Sequence, residues 1–219
     1  FKEIINLLNK IQKIKLRKIK NFKKEIYHVP EYTQKILLKE AMLFSDWYVA
    51  KKLSKSKQLS FRKSFKLIIK KLIKQLLLKN DTFVHRDFHV SNLMIIKNKI
   101  GIIDSQDALF GNKAYDLASL IDDVRFKTSK KMKQKVFYLY LQTQKKLNIK
   151  HFNNDFEIIS VLRNLKIIGI FTRLALRDKK NKYLKLVPYA WDLIRLRSRN
   201  NEKFKSLNKL LMVFKNFKR

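Results

Sequence analysis

The residues best suited to chemistry lie in one short loop and after an apolar run that follows it. They form the pattern His-x-Asp-x-x-x-x-Asn, which starts at His85 and includes Asp87 and Asn92, and Asp104 comes later. Phosphoryl transfer needs a carboxylate that orients and deprotonates the attacking hydroxyl, and oxygen ligands that hold Mg²⁺ on the phosphates. Asp87 suits the first role, and Asn92 and Asp104 suit the second. The spacing therefore predicts a phosphoryl-transfer site.

Acidic residues are concentrated around the same loop. Seven of the 17 acidic residues lie between residues 81 and 123, and all seven are aspartates. With four basic residues there, the stretch carries a net charge of −3, against +38 for the rest of the chain. An isolated loop Asp with a nearby Asn is commonly only a turn or a helix cap. The spacing and the acidic cluster together favour catalysis, and we expect the stretch to coordinate a cation.

The elements that position these residues are predicted to be helices around one small hairpin. The apolar runs 93–96 and 100–103, joined by Lys97-Asn98-Lys99, predict a β-hairpin, and residues 82–84 predict a short strand. Helical spacing of apolar residues predicts helices over residues 1–20, 34–53, 60–79, 115–126, 130–147, 155–177, 183–197 and 202–217, with a connector over 21–33. Only three glycines and two prolines are present, too few for a turn-rich β fold. We predict a mainly α (α+β) fold, in which residues 1–219 form a single helical lobe with its catalytic segment at 82–123.

The composition limits the partners that the chain is expected to have. The formal net charge is +35, but 41 of the 52 basic residues are lysines scattered along the chain, which favours a solvated surface over nucleic-acid binding. Lysines interrupt every apolar run before it reaches transmembrane length. The chain has no cysteine, which fits a reducing compartment. We expect a cytoplasmic protein without a membrane span.

Several runs of sequence around the loop match a known family. They are Val84-His85-Arg86-Asp87-Phe88-His89 with Ser91-Asn92-Leu93-Met94, and Ile103-Asp104-Ser105-Gln106-Asp107-Ala108 with Tyr115-Asp116-Leu117-Ala118-Ser119-Leu120. These runs resemble the aminoglycoside phosphotransferase/choline kinase superfamily. Within it, the chain is similar to the anomeric N-acetylmuramate/N-acetylglucosamine kinases of cell-wall recycling. Residues 40–48 and 165–178 agree, so the resemblance covers about residues 35 to 195.

The resemblance implies a protein-kinase-like C-terminal lobe with ATP as co-substrate, Mg²⁺ as cofactor and an amino sugar as acceptor. Asp87 would be the catalytic base, and Asn92 and Asp104 would be the magnesium ligands. Asp116 would brace the catalytic loop through hydrogen bonds. His85 also reads as a residue that supports the loop, because it lacks the partner ligands of a metal site.

Four further residues have two interpretations each. Gln106 and Asp107 either face the hydroxyls of a sugar or cap the next turn. Trp47 and Tyr48 either stack on a pyranose ring or belong to the core, and their helical setting favours the core.

The chain contains no glycine before the catalytic loop, since its only glycines are Gly101, Gly111 and Gly169. A glycine-rich loop and a strand lysine would normally cover the phosphates. We therefore expect the nucleotide-binding lobe to be absent from residues 1–219, to be encoded upstream of Phe1, and the fragment alone to be inactive. Two alternatives stay open: a kinase of another small alcohol (an aminoglycoside, choline or homoserine), and a non-catalytic basic module for RNA or anionic membranes built on a degenerate kinase lobe.

Overall fold

The computed structural model of the chain describes residues 1–218, which fold mainly into helices with a few short strands. The strands are β1 (Lys18–Lys20), β2 (Ile26–His28), β3 (Thr82–Val84), β4 (Leu93–Ile96), β5 (Lys99–Ile102) and β6 (Leu109–Gly111). The α-helices are α1 (Lys2–Gln12), α2 (Gln34–Leu43), α3 (Ala50–Lys52), α4 (Lys55–Lys74), α5 (Ala114–Ile121), α6 (Lys130–Gln142), α7 (Ile149–Arg177), α8 (Val187–Ser198), α9 (Lys205–Leu211) and α10 (Lys215–Lys218). The mainly α prediction is confirmed, including the hairpin of β4 and β5. Within residues 1–218, no helix combines the length and the apolar character needed to cross a membrane.

The chain forms two compact units. Unit 1 contains Phe1–Thr33 and Leu77–Phe156, and unit 2 contains Gln34–Leu76 and the described residues from Glu157 onwards. All strands of the described chain belong to unit 1, whereas helix α7 begins in unit 1 and ends in unit 2. The catalytic segment predicted from the sequence therefore lies entirely in unit 1.

Buried polar contacts help to fix the core of unit 1. The hydroxyl of Tyr140 donates to Oε1 of Gln12 at 2.7 Å, and Nε2 of Gln12 donates to the backbone carbonyl of Lys113 at 3.0 Å. The carboxylate of Asp155 is fully buried and accepts the backbone N–H of Leu77 at 2.9 Å. Because buried polar groups are costly without partners, these contacts specify how α1, α6 and the segment before β3 pack in this unit.

The first strand pair of unit 1 was not predicted. The sequence predicted a helix over residues 1–20, but α1 ends at Gln12 and β1 pairs with β2 as an antiparallel hairpin. The turn of this hairpin depends on Asn21, whose Oδ1 accepts the backbone N–H of Glu25 at 2.9 Å, and on Lys24, which has a φ of 64°. Such a local side-chain turn competes with the helix that the apolar spacing favoured.

A second strand pair places the start of the catalytic segment. Strand β3 pairs antiparallel with β6, so that Val84 lies opposite Leu109. Strand β6 was not predicted. The predicted connector, residues 21–33, forms two backbone hydrogen bonds with β6. The N–H of Phe110 donates to the carbonyl of Pro30 at 2.9 Å, and the N–H of Tyr32 donates to the carbonyl of Phe110 at 2.7 Å.

The core of unit 2 is an aromatic cluster. Its ring centroids lie 5.3 to 6.3 Å apart, and its members are Phe44, Tyr48, Phe61, Phe65, Trp191 and Phe214. Tyr48 is buried there, in agreement with the core interpretation, whereas Trp47 is half-buried.

The helix predicted over residues 34–53 is interrupted by a π-helical segment, Phe44–Val49, between α2 and α3. Gly169 of α7 lies so close to this segment that a Cβ there would come within 2.4 Å of the carbonyl carbon and oxygen of Leu43. Only glycine permits this approach of two backbones. Other helix boundaries also moved: α4 begins and ends five residues before its predicted range of 60–79, α5 and α6 each end five residues early, α7 begins six residues early, and α8 begins four residues late. The helix predicted over 202–217 is divided into α9 and α10.

Candidate active site

The loop after β3 carries the predicted catalytic pattern, and Asp116 holds its first residues. One carboxylate oxygen of Asp116 accepts the backbone N–H of His85 at 2.7 Å, and the other accepts that of Arg86 at 3.0 Å. Asp116 is fully buried in the first turn of α5, where the helix dipole favours a negative charge. Arg86 has a φ of 73°, in a left-handed region that costs a non-glycine residue roughly 1–2 kcal/mol. The two hydrogen bonds therefore hold a strained part of the loop.

Asp87 follows Arg86 and is half-buried. Its backbone carbonyl accepts the N–H of His89 at 2.9 Å and Nδ2 of Asn92 at 3.0 Å. Its carboxylate makes no hydrogen bond to another residue in the described part of the chain. The loop thus fixes the backbone of Asp87 and leaves both carboxylate oxygens able to accept a proton, which is the arrangement that a general base requires.

The β4–β5 hairpin brings Asn92 and Asp104 together. The backbone carbonyl of Asn92 accepts the N–H of Ile103 at 3.1 Å. Asp104 is the next residue after Ile103, so this hydrogen bond holds the start of its segment against Asn92. Asp104 is exposed and has a φ of 72°. Since Nδ2 of Asn92 donates to Asp87, Oδ1 of Asn92 is the side-chain atom left to bind a ligand.

Gln106 and Asp107, the predicted substrate-contacting or turn-capping residues, are exposed and contact other residues of the site. Nε2 of Gln106 donates to Oδ1 of Asp104 at 2.5 Å. Nη1 of Arg86 donates to the backbone carbonyl of Asp107 at 3.2 Å, and the Asp107 carboxylate lies 3.9 Å from the same guanidinium group. The contact from Gln106 orients a predicted metal ligand, and the substrate role of both residues stays a prediction.

His85 is almost fully buried, with its ring edge-on to Phe88 at a centroid distance of 6.4 Å. Burial lowers the pKa of His85, and the carboxylates of Asp87 and Asp104 and the backbone of Ile103 oppose that shift. A lowered pKa means that the imidazole is neutral near pH 7 and can pack inside the loop. Its predicted supporting role fits this setting and stays a prediction.

The predicted acidic cluster contains aspartates that are exposed or half-buried and others that are fully or almost fully buried. Asp116 holds the loop, as described above. Asp122 is fully buried and lies 3.2 Å from Nζ of Lys133, and Asp123 accepts the backbone N–H of Arg125 at 3.0 Å. Protein donors contact all three carboxylates, although Oδ2 of Asp123 has no hydrogen-bond partner in the described part of the chain. The cation predicted for this stretch therefore stays assigned to Asn92 and Asp104.

Asn92 and Asp104 offer an amide oxygen and a carboxylate, which are the hard oxygen donors that Mg²⁺ prefers. In residues 1–218 no group of three or more His, Cys, Asp or Glu side chains is placed to hold a metal. Mg²⁺ keeps several waters and is commonly bound by one or two carboxylates plus the phosphates of a substrate. The donor set of this loop and hairpin therefore fits the cation that the sequence predicted.

Tyr32 and Tyr115 are buried, and Tyr32 contacts the loop of the candidate site in a way that the sequence did not predict. The hydroxyl of Tyr32 donates to that of Tyr115 at 3.2 Å, and their rings meet edge-on at 5.0 Å. The guanidinium carbon of Arg86 lies 5.6 Å from the centre of the Tyr32 ring. Tyr32 thus packs against a loop residue next to Asp87. No local signal predicts this contact, because Tyr32 lies in the connector more than fifty positions before the loop.

Known proteins with similar sequences share one name. The chain is 33% identical over 190 residues to the N-acetylmuramate/N-acetylglucosamine kinase of Neisseria meningitidis, covering 84% of this chain and 57% of that protein. It is 32% identical over 166 residues to the kinase of the same name from Pseudomonas aeruginosa, covering 73% of this chain and 49% of that protein. The chain thus spans about half the length of the curated relatives it matches.

The fold is also similar to a solved structure, that of the amicoumacin kinase hAmiN in complex with AMP-PNP, Ca²⁺ and Ami. The TM-score is 0.56 at 14% sequence identity, covering 88% of this chain and 56% of that one. This likeness confirms the predicted kinase-like fold. A model of the phosphotransferase enzyme family (APH) matches residues 3–146, which is more than half of the chain. The chain therefore belongs to the phosphotransferase enzyme family.

Proposed function

We propose that the protein carrying this chain transfers the γ-phosphoryl group of ATP to a hydroxyl of an amino sugar. The contribution of residues 1–218 is the loop and hairpin that present Asp87, Asn92 and Asp104. The relatives named N-acetylmuramate/N-acetylglucosamine kinase support the amino sugar as acceptor. The place in cell-wall recycling that the resemblance implied stays a prediction.

Asp87 acts as the general base in this proposal. Its carboxylate accepts the proton of the sugar hydroxyl as the hydroxyl oxygen forms a bond to the γ-phosphorus, and the bond from that phosphorus to the leaving oxygen of ADP breaks. The observation that carries the proposal is the free carboxylate of Asp87 on a backbone fixed by Asn92 and, through the preceding residues, by Asp116. General-base catalysis contributes about two to four orders of magnitude in rate.

Asn92 and Asp104 hold Mg²⁺ in this proposal. A cation held there would supply positive charge that stabilises the phosphoryl group during transfer. Gln106 orients the Asp104 carboxylate through the hydrogen bond to its Oδ1. His85 supports the loop as a buried neutral ring. Asp107 lies next to the site, because its backbone carbonyl accepts a hydrogen bond from the guanidinium group of Arg86.

The experiment is a product assay on the protein that carries this chain, with ATP, Mg²⁺ and one acceptor at a time. The acceptors are N-acetylglucosamine, N-acetylmuramate, an aminoglycoside, choline and homoserine. ADP release is followed by a coupled assay, and ³¹P NMR identifies the phosphorylated oxygen of the product. We expect a sugar phosphate from the two amino sugars and none from the other acceptors.

Two results would change the proposal. Phosphorylation of choline, homoserine or an aminoglycoside in preference to both amino sugars would move the acceptor to another branch of the family. If ADP is released without any phosphorylated acceptor, and at the same rate in the Asp87→Asn variant, the loop has no catalytic role.

A further inference from the structure

Helices α2 and α4 of unit 2 line a cavity of about 630 Å³ that is rich in lysine. Its lining residues are Gln34, Lys35, Leu38, Lys66, Leu67, Lys70, Lys71, Ile73 and Lys74. Five of these nine lining residues are exposed lysines, and none is acidic. We call this site the lysine cavity.

None of the five lysines is paired with a residue in the described part of the chain. The reason is visible in the sequence: between Asp46 and Asp81 there is no acidic residue and there are 11 basic ones. Other lysines of unit 2 do have carboxylate partners. Lys166 lies 3.0 Å from Glu40, for example. The positive charge of the lysine cavity is therefore uncompensated by the protein.

The spacing of the lysines on α4 increases their mutual repulsion. Lys66, Lys70 and Lys74 follow one another at four-residue intervals, which places them on one face of the helix, and like charges at this spacing destabilise a helix. Leu67, 55% exposed, lies between them. A bound anion would relieve this repulsion.

The lining residues indicate which anion fits. The volume lies in the range of small-molecule sites, about 300–1,000 Å³. Lysine ammonium groups bind phosphate as point charges, and several of them match a ligand with several negative charges. No aromatic side chain lines the lysine cavity, so it offers no ring on which a nucleobase can stack. We propose that the lysine cavity binds a small anion of the polyphosphate class, at a site separate in sequence from the candidate catalytic residues and independent of the function proposed for them.

The test is isothermal titration of the full chain with inorganic tripolyphosphate at low and at physiological salt. The cavity variant carries Lys66→Gln, Lys70→Gln and Lys74→Gln. A charge-matched control carries Lys51→Gln, Lys57→Gln and Lys63→Gln, which are exposed lysines of the same unit outside the cavity lining. Because a hydrogen bond to a charged group contributes about 1.5–3 kcal/mol, the cavity variant should bind at least about tenfold more weakly, and the control should bind like the parent.

Circular dichroism on both variants establishes that they are folded. Equal weakening in the two triple variants would overturn the proposal, because it would show that tripolyphosphate responds only to the overall charge of +35. A second titration uses citrate, a tricarboxylate. Citrate binding as tight as that of tripolyphosphate would overturn the assignment to polyphosphate, and markedly weaker binding would support it.

Discussion

The carboxylate of Asp116 accepts the backbone N–H of Arg86 at 3.0 Å across 30 residues of sequence. The same carboxylate accepts the N–H of His85. One buried side chain of α5 therefore holds two consecutive amides just before Asp87. Since the amide of Arg86 belongs to a residue with positive φ, the carboxylate stabilises a conformation that the loop would otherwise avoid.

Asp116→Ala should lower both stability and activity. It leaves the backbone N–H groups of His85 and Arg86 without their acceptor, and a buried unsatisfied donor costs about 1–3 kcal/mol. We expect the free energy of unfolding in urea to fall by at least that amount, and turnover to fall because Asp87 is no longer held. The matched control is Asp81→Asn, an exposed aspartate outside the site, which should change neither quantity. Unchanged stability of Asp116→Ala would mean that the loop does not depend on this carboxylate.

Asp87→Asn should abolish turnover while ATP affinity stays nearly unchanged. The amide has a similar size but cannot accept the hydroxyl proton, and loss of a general base costs about two to four orders of magnitude in rate. The measurement is kcat in the protein that carries this chain, together with ATP binding by titration. Turnover close to that of the parent would exclude Asp87 as the base.

Asp104→Ala and Gln106→Ala should both raise the Mg²⁺ concentration needed for half-maximal activity. Asp104 supplies the charged ligand, and Gln106 donates a hydrogen bond to it. Loss of such an outer partner typically costs about 10–100-fold in metal affinity. For Gln106→Ala we expect a shift of that size with the KM for the sugar little changed.

The opposite pattern for Gln106→Ala would be informative. A raised sugar KM with an unchanged Mg²⁺ requirement would assign Gln106 to the substrate instead of to Asp104. An unchanged Mg²⁺ requirement in Asp104→Ala would remove Asp104 from the metal site.

The parts of the site that sequence could predict are those whose geometry is local. Asp87 and Asn92 lie on one loop, and the hairpin that brings Asp104 back to Asn92 is formed by adjacent apolar runs. The contact of Tyr32 with Arg86 could not be predicted, because it joins segments far apart in the chain. The aspartates of the predicted cluster look alike in sequence, and only burial distinguishes Asp122, paired with a lysine, from Asp104 at the surface.

In the fold, too, the elements set by local sequence were predicted and those set by distant contacts or by single side chains were not. Long helices with regular apolar spacing were predicted, with errors at their ends. The hairpin of β1 and β2 was missed because its turn is set by hydrogen bonds of the Asn21 side chain. Strand β6 was missed because its pairing with β3 decides its conformation more than its own three residues do.

Gly169→Ala should destabilise unit 2. The added methyl group would come within 2.4 Å of the Leu43 carbonyl, a backbone group that cannot rotate away as a side chain can. Overpacking of this kind typically costs about 1–3 kcal/mol.

The matched control is Gly101→Ala in unit 1, where the new methyl group would meet its nearest neighbour, Cδ1 of Ile96, at an ordinary 3.7 Å. Neither glycine has a positive φ, so backbone strain does not separate the two variants. Urea unfolding followed by tryptophan fluorescence reports on unit 2 through Trp191 of the aromatic cluster. A midpoint lowered in Gly169→Ala and retained in Gly101→Ala is the expected result, and equal midpoints would mean that α7 can move away from Leu43 without loss.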